Sequence, residues 1–139
     1  MNPPLTWSID HIGLAVTNLD EAIATYAGLA HTSVTLRERL EKHGVEIAFM
    51  STGGSKIELL STLDPKNSLG RFLQNRGPGL HHIAYTVSNI KDELSRLSKL
   101  GVTLIDATPR PGAAGTSIAF LHPSSFCGVL TELVEYPTL

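Results

Sequence analysis

The chain is predicted to fold in the α+β class, as two tandem β-α-β-β-β modules related by a pseudo-twofold axis and folding together around a shared concavity. Three observations predict this. The first is an internal repeat. Ser8-Ile9-Asp10-His11-Ile12-Gly13-Leu14-Ala15-Val16-Thr17-Asn18-Leu19 aligns with Gly79-Leu80-His81-His82-Ile83-Ala84-Tyr85-Thr86-Val87-Ser88-Asn89-Ile90 at an offset of 71, and residues 44–50 meet 115–121 at the same offset. Ile57-Glu58-Leu59-Leu60 then meets Thr131-Glu132-Leu133-Val134 at an offset of 74, as if three residues entered one intervening loop. The second is periodicity, which switches from alternation to a helical stripe and back within each copy. The third is composition: 139 residues, 42% of them hydrophobic, suit a single domain over 1–139 with a real core.

Each element has a local reason. Ile12, Leu14 and Val16 alternate with His11, Gly13 and Ala15, so a first strand carries His11 on the face opposite the large aliphatics. Asn18 or Thr17 caps the following helix, with Glu21 as its capping-box partner. That helix, about 19–29, aligns Leu19, Ala22, Ile23, Tyr26 and Ala27 and ends near Gly28. The second copy repeats the design: Ser88 or Asn89 caps, Ile90, Leu94, Leu97 and Leu100 form the stripe, and Gly101 closes it. Further strands are expected near 32–39, 45–51 and 56–61, and near 103–107, 116–121 and 128–135. The modules therefore span about 8–62 and 79–136. Between them, a linker of about 63–78 starts a short helix at Leu63-Asp64-Pro65, runs through Leu69, Phe72 and Leu73, and stops at Gly77-Pro78-Gly79.

Composition narrows the function. A net charge of −2 gives no electrostatic case for nucleic acid or an anionic membrane surface. No apolar run approaches the roughly 20 residues of a membrane helix. Met1-Asn2-Pro3-Pro4 lacks the basic start and hydrophobic stretch of a secretory signal. The single Cys127 fits a reducing compartment and reads more simply as a small buried hydrophobe than as a nucleophile. A soluble cytoplasmic domain is the expectation.

The chemistry lies in the repeat. A lone strand histidine is usually a satisfied or exposed side chain, but His11 recurs as His82 where pseudosymmetry demands a partner. Glu58 and Glu132 each sit in an aliphatic strand, where a carboxylate must face solvent or find a cation. Two imidazoles and two carboxylates form a mixed N/O set suited to Mn²⁺, Co²⁺, Ni²⁺, Zn²⁺ or Fe²⁺ rather than to a thiolate structural zinc. In octahedral geometry, four protein ligands leave two positions for water or a bidentate substrate, which makes the metal catalytic in character. His81 points to the other face and is no ligand. His122 belongs to a loop or strand end, while His31 and His43 are most simply surface residues. Glu46 has Ser117 as its counterpart and shares a strand face with Ala48 and Met50. If that small-residue face lines the cavity, Glu46 lies near the metal as a general base.

These motifs carry a resemblance. Paired β-α-β-β-β modules with His on the first strand and Glu on the last resemble the vicinal oxygen chelate superfamily (glyoxalase, bleomycin resistance protein, dioxygenase). Ile9-Asp10-His11-Ile12-Gly13, Gly79-Leu80-His81-His82-Ile83-Ala84 and Pro109-Arg110-Pro111-Gly112, with the run from Ala119 to Leu133, are similar to its methylmalonyl-CoA epimerase family. The resemblance implies a curved mixed β-sheet cavity with helices outside, and a divalent metal (Co²⁺, Mn²⁺, Ni²⁺ or Zn²⁺) on His11, Glu58, His82 and Glu132. It also implies acid/base roles for Glu46 and Glu132, an acyl-CoA substrate, and a possible homodimer. The implied reaction interconverts (2R)- and (2S)-methylmalonyl-CoA through an enolate. Glyoxalase I resembles the chain equally in its ligand set. An extradiol dioxygenase needs only two His and one carboxylate, and an antibiotic-sequestering protein needs no ligand quartet, so retention of all four residues argues against both.

Overall fold

Alternation of small and large side chains starts the fold. In the computed structural model, which describes residues 6–138, strand β1 (Ser8–Ala15) buries His11, Gly13 and Ala15 on one face and half-buries Ile12 and Leu14 on the other. Asn18 then accepts the Glu21 backbone N–H at 2.9 Å and caps helix α1 (Leu19–Ala30). The helix does not end near Gly28; it continues to Ala30, and His31, with φ 53°, forms the left-handed cap. One glycine costs a helix interior only about 1 kcal/mol, too little to stop a helix packed along its other face.

Strands β2 (Val34–Leu40), β3 (Val45–Ser51) and β4 (Lys56–Thr62) pair antiparallel in turn, and β4 runs parallel to β1. Helix α2 (Ser68–Arg76) follows. It starts later than Asp64-Pro65, because Asn67 is the cap. The Asn67 side chain accepts the Gly70 N–H and the Thr62 hydroxyl, each at 2.8 Å, and its amide donates to the Gly44 carbonyl.

The second copy comprises β5 (Gly79–Thr86), α3 (Ile90–Lys99), β6 (Arg110–Pro111), β7 (Ser117–Leu121) and β8 (Thr131–Glu135). Asn89 caps α3 through the Asp92 N–H. Leu100 is 68% exposed and leaves the predicted stripe, while Val102 packs against the core formed by the stripe. Residues 103–107 form no strand; Leu104 makes only an isolated bridge to Leu121, and the edge strand is β6. The Asp106 carboxylate takes the Phe120 N–H at 2.8 Å, where a strand neighbour's carbonyl would otherwise bond. Pro109 and Pro111 lack the donors to extend a ladder. The last strand starts at Thr131 rather than 128, after a turn in which Cys127 and Gly128 both have positive φ.

Two compact units make up the chain. One is His11–His82, and the other joins the described residues up to Asp10 to those from Ile83 onward. Helix α2 thus belongs to the first unit rather than to a separate linker. In the first unit the strand order is β2-β3-β4-β1, and Leu19 of α1 packs on Ala48, Met50 and Leu59. In the second the order is β5-β8-β7-β6, and Ile90, Leu94 and Leu97 of α3 cluster with Ala119, Leu121 and Leu133. Each copy keeps the β-α-β-β-β order with mixed pairing, so the α+β class holds. Among the described residues no helix is long and apolar enough to cross a membrane.

Candidate metal centre

Helix packing claims one face of the strands in each unit, so polar groups on the other face are positioned by register. In the first unit Gly13, two residues past His11, pairs with Glu58, and Glu58 pairs in turn with Phe49. The His11 ring meets the Phe49 ring edge-on, centroids 5.1 Å apart. His11, Glu58 and His82 then converge. His11 Nε2 lies 3.4 Å and His82 Nε2 3.3 Å from Glu58 Oε1, and the two imidazole nitrogens are 3.2 Å apart. Metal–ligand bonds of about 2.0–2.2 Å set adjacent donors roughly 3 Å apart, so this triangle has the size of one face of a coordination shell. All three residues are at most 7% exposed.

Gly13 makes the approach possible, because a β-carbon at this position would overlap the His82 imidazole. Burial alone pushes the Glu58 carboxyl up, but hydrogen bonds from His11 and His82 and their charges outweigh it and hold the group at about 2. Glu58 is therefore an anion facing two imidazoles, a donor set that fits a divalent cation.

The second unit repeats the register. Ala84, two residues past His82 in sequence, pairs with Glu132, and Glu132 pairs with Phe120, the counterpart of Phe49. Glu132 is 5% exposed, on the strand face shared with Val134 and opposite the Leu133 that packs toward α3.

Glu46 requires a correction. Ala48 and Met50, which share its face, pack against α1, whereas Phe49 on the other face touches His11. Glu46 thus points to the helix side of β3, away from the ligand cluster. There it accepts from Arg37 Nε at 3.1 Å, and Arg37 also holds Asp20 at the start of α1. The small-residue face accommodates a helix rather than a cavity.

The remaining candidates separate cleanly. His81 is half-buried, and its Nδ1 lies 2.9 Å from Nδ1 of His82. His122 is exposed and caps a short turn, His31 is the exposed cap of α1, and His43 is half-buried rather than superficial. Cys127 is exposed, contrary to the buried reading. Sequence reasoning misses Lys56, which is two residues before Glu58 on the same strand face, with its ammonium 4.7 Å from the Phe49 ring centroid. The signal that could have found it is the period-2 alternation Lys-Ile-Glu.

The family model described as Glyoxalase/Bleomycin resistance protein/Dioxygenase superfamily matches residues 10–120. The chain belongs to this superfamily. Among superfamily relatives, the chain is 39% identical to an uncharacterized Bacillus subtilis protein, YqjC, over 91% of each chain. It is 35% identical to the ethylmalonyl-CoA/methylmalonyl-CoA epimerase of Cereibacter sphaeroides, over 91% of this chain and 96% of the relative. A solved structure of a methylmalonyl-CoA epimerase in complex with methylmalonyl-CoA and NH₄⁺ superposes with a TM-score of 0.91 at 33% identity, covering 95% and 96% of the two chains.

Proposed function

We propose that this superfamily member is a divalent-metal-dependent isomerase that interconverts (2R)- and (2S)-methylmalonyl-CoA. The observation that carries the reading is the buried His11–Glu58–His82 triangle with its repeat-related Glu132, in a chain similar over nine-tenths of its length to methylmalonyl-CoA epimerases. His11, Glu58, His82 and Glu132 hold the ion, which is Co²⁺, Mn²⁺, Ni²⁺ or Zn²⁺. Bound there, a divalent metal supplies Lewis acidity to substrate oxygens.

The protein's residues do the rest. His11 and His82 present imidazole nitrogens and Glu58 a fixed negative charge. Glu132 is the acid/base group that moves the C2 proton, which is acidic because it lies between a thioester carbonyl and a carboxylate. Its loss leaves an enolate. Epimerisation also needs a proton on the opposite face, and Glu46, paired to Arg37, is not its source. Lys56 adds a positive charge on the same strand as Glu58 to attract the anionic substrate. The protein works in the cytoplasm as one domain over 1–139, and as a homodimer.

Proton exchange tests the reading. Metal-loaded protein in deuterated water washes deuterium into C2 of methylmalonyl-CoA while the diastereomers equilibrate, as followed by NMR. No exchange, with turnover of the hemithioacetal of methylglyoxal and glutathione, would move the assignment to glyoxalase I.

A further inference from the structure

The paired histidines of β5 divide their work. Only His82 brings its Nε2 to Glu58 and His11. Its other ring nitrogen, Nδ1, lies 2.9 Å from Nδ1 of His81, with the two rings nearly perpendicular at 85°. His81 is itself braced, because the Phe72 ring of α2 meets it edge-on at 4.9 Å between centroids. His82 has little freedom to turn: Gly13 lies against its imidazole with no side chain between, and the residue is 3% exposed.

We propose that His81 is a positioning residue for the metal centre: its Nδ1 accepts a hydrogen bond from the Nδ1–H of His82, which leaves the Nε2 lone pair of His82 facing the other ligands. The inference rests on the metal reading above. The chemistry is general, since a metal-bound imidazole is oriented and its tautomer set by whatever its second nitrogen bonds. The usual partner is a carboxylate, a carbonyl or water; here it is the adjacent histidine. Phe72 extends the chain of support to α2, which gives that helix a function beyond joining the two copies.

The test is Co²⁺ affinity of the full chain stripped of metal, titrated with Co²⁺ alone and followed by its visible absorption bands. His81→Phe keeps an aromatic ring against Phe72 and removes the acceptor, while His81→Asn keeps an acceptor near the place of Nδ1. Loss of such a partner typically costs about 10- to 100-fold in metal affinity, so H81F is expected to weaken Co²⁺ binding by that factor and to shift the bands, with H81N restoring most of the loss. Circular dichroism confirms that each variant is folded. Equal affinity and unchanged bands in folded H81F would overturn the positioning role, as would a folded H81N no tighter than H81F. Wild-type protein that takes up no Co²⁺ would instead overturn the metal reading, so the two failures are distinguishable.

Discussion

Gly13 governs the geometry of the site at the scale of single residues. Its missing β-carbon is the space the His82 imidazole occupies. Gly13→Ala should push that ring away from Glu58, weaken metal retention measured by elemental analysis, and cost about 1–3 kcal/mol as overpacking does. Glu46 makes the opposite case. Its carboxylate and the Arg37 guanidinium are both partly solvated, and such pairs contribute about 0–1 kcal/mol. Glu46→Gln should therefore keep epimerisation within about twofold of wild type, where loss of a true general base costs about 10²–10⁴-fold. A collapse of that size in C2 deuterium exchange would return Glu46 to the mechanism. Lys56→Met should raise KM for the acyl-CoA with little change in kcat, because it removes attraction rather than proton transfer; an unchanged KM would exclude that role.

Among the elements, α2 depends on one side chain. Asn67 caps the helix, binds the Thr62 hydroxyl and reaches the Gly44 carbonyl across the unit. Loss of a cap alone costs about 1–2 kcal/mol, so Asn67→Ala should lower the urea midpoint by at least that equivalent. Through Phe72 and His81 the same change should loosen metal binding, whereas a substitution at exposed Gln74 should alter neither. The strand registers matter as much. A one-residue slip between β3 and β4 would turn Glu58 to the helix face and bring Leu59 into its place.

For the whole molecule, the linkage is to acid. The Glu58 carboxyl titrates at about 2 in the folded chain, below an unfolded value of about 4.3. A depressed carboxylate contributes stability that is fully present above the unfolded value and is lost as pH falls through the folded one. Stability of the metal-free protein should therefore fall between about pH 4 and pH 2, and Glu58→Gln should flatten that limb. Chelation should abolish C2 exchange at neutral pH, and one equivalent of Co²⁺ should restore it; exchange that persists in fully stripped protein would exclude a metal role.

The sequence by itself determined the duplicated β-α-β-β-β order, the two-residue windows that hold each helix cap and the equivalence of His11 with His82 and Glu58 with Glu132, because periodicity, capping and repetition are local or translational signals; the structure then selects Asn18 and Asn89 as the caps. It also sets His81 on the strand face opposite His82, since alternation along one strand is enough for that. Only the tertiary structure decided which face of β3 a helix would cover. An apolar strand face suits a cavity wall and a helix seat equally, so Ala48 and Met50 do not say which, and reading them as a cavity wall puts Glu46 on the wrong side. The same limit applies to the edge of the second copy, where the Asp106 carboxylate accepts the Phe120 N–H and interrupts the regular ladder that apolar residues near 103–107 suggest. The Nδ1 contact between His81 and His82 belongs to this class too: adjacent residues on a strand point apart by rule, yet these two rings meet, with Phe72 against one and Gly13 against the other.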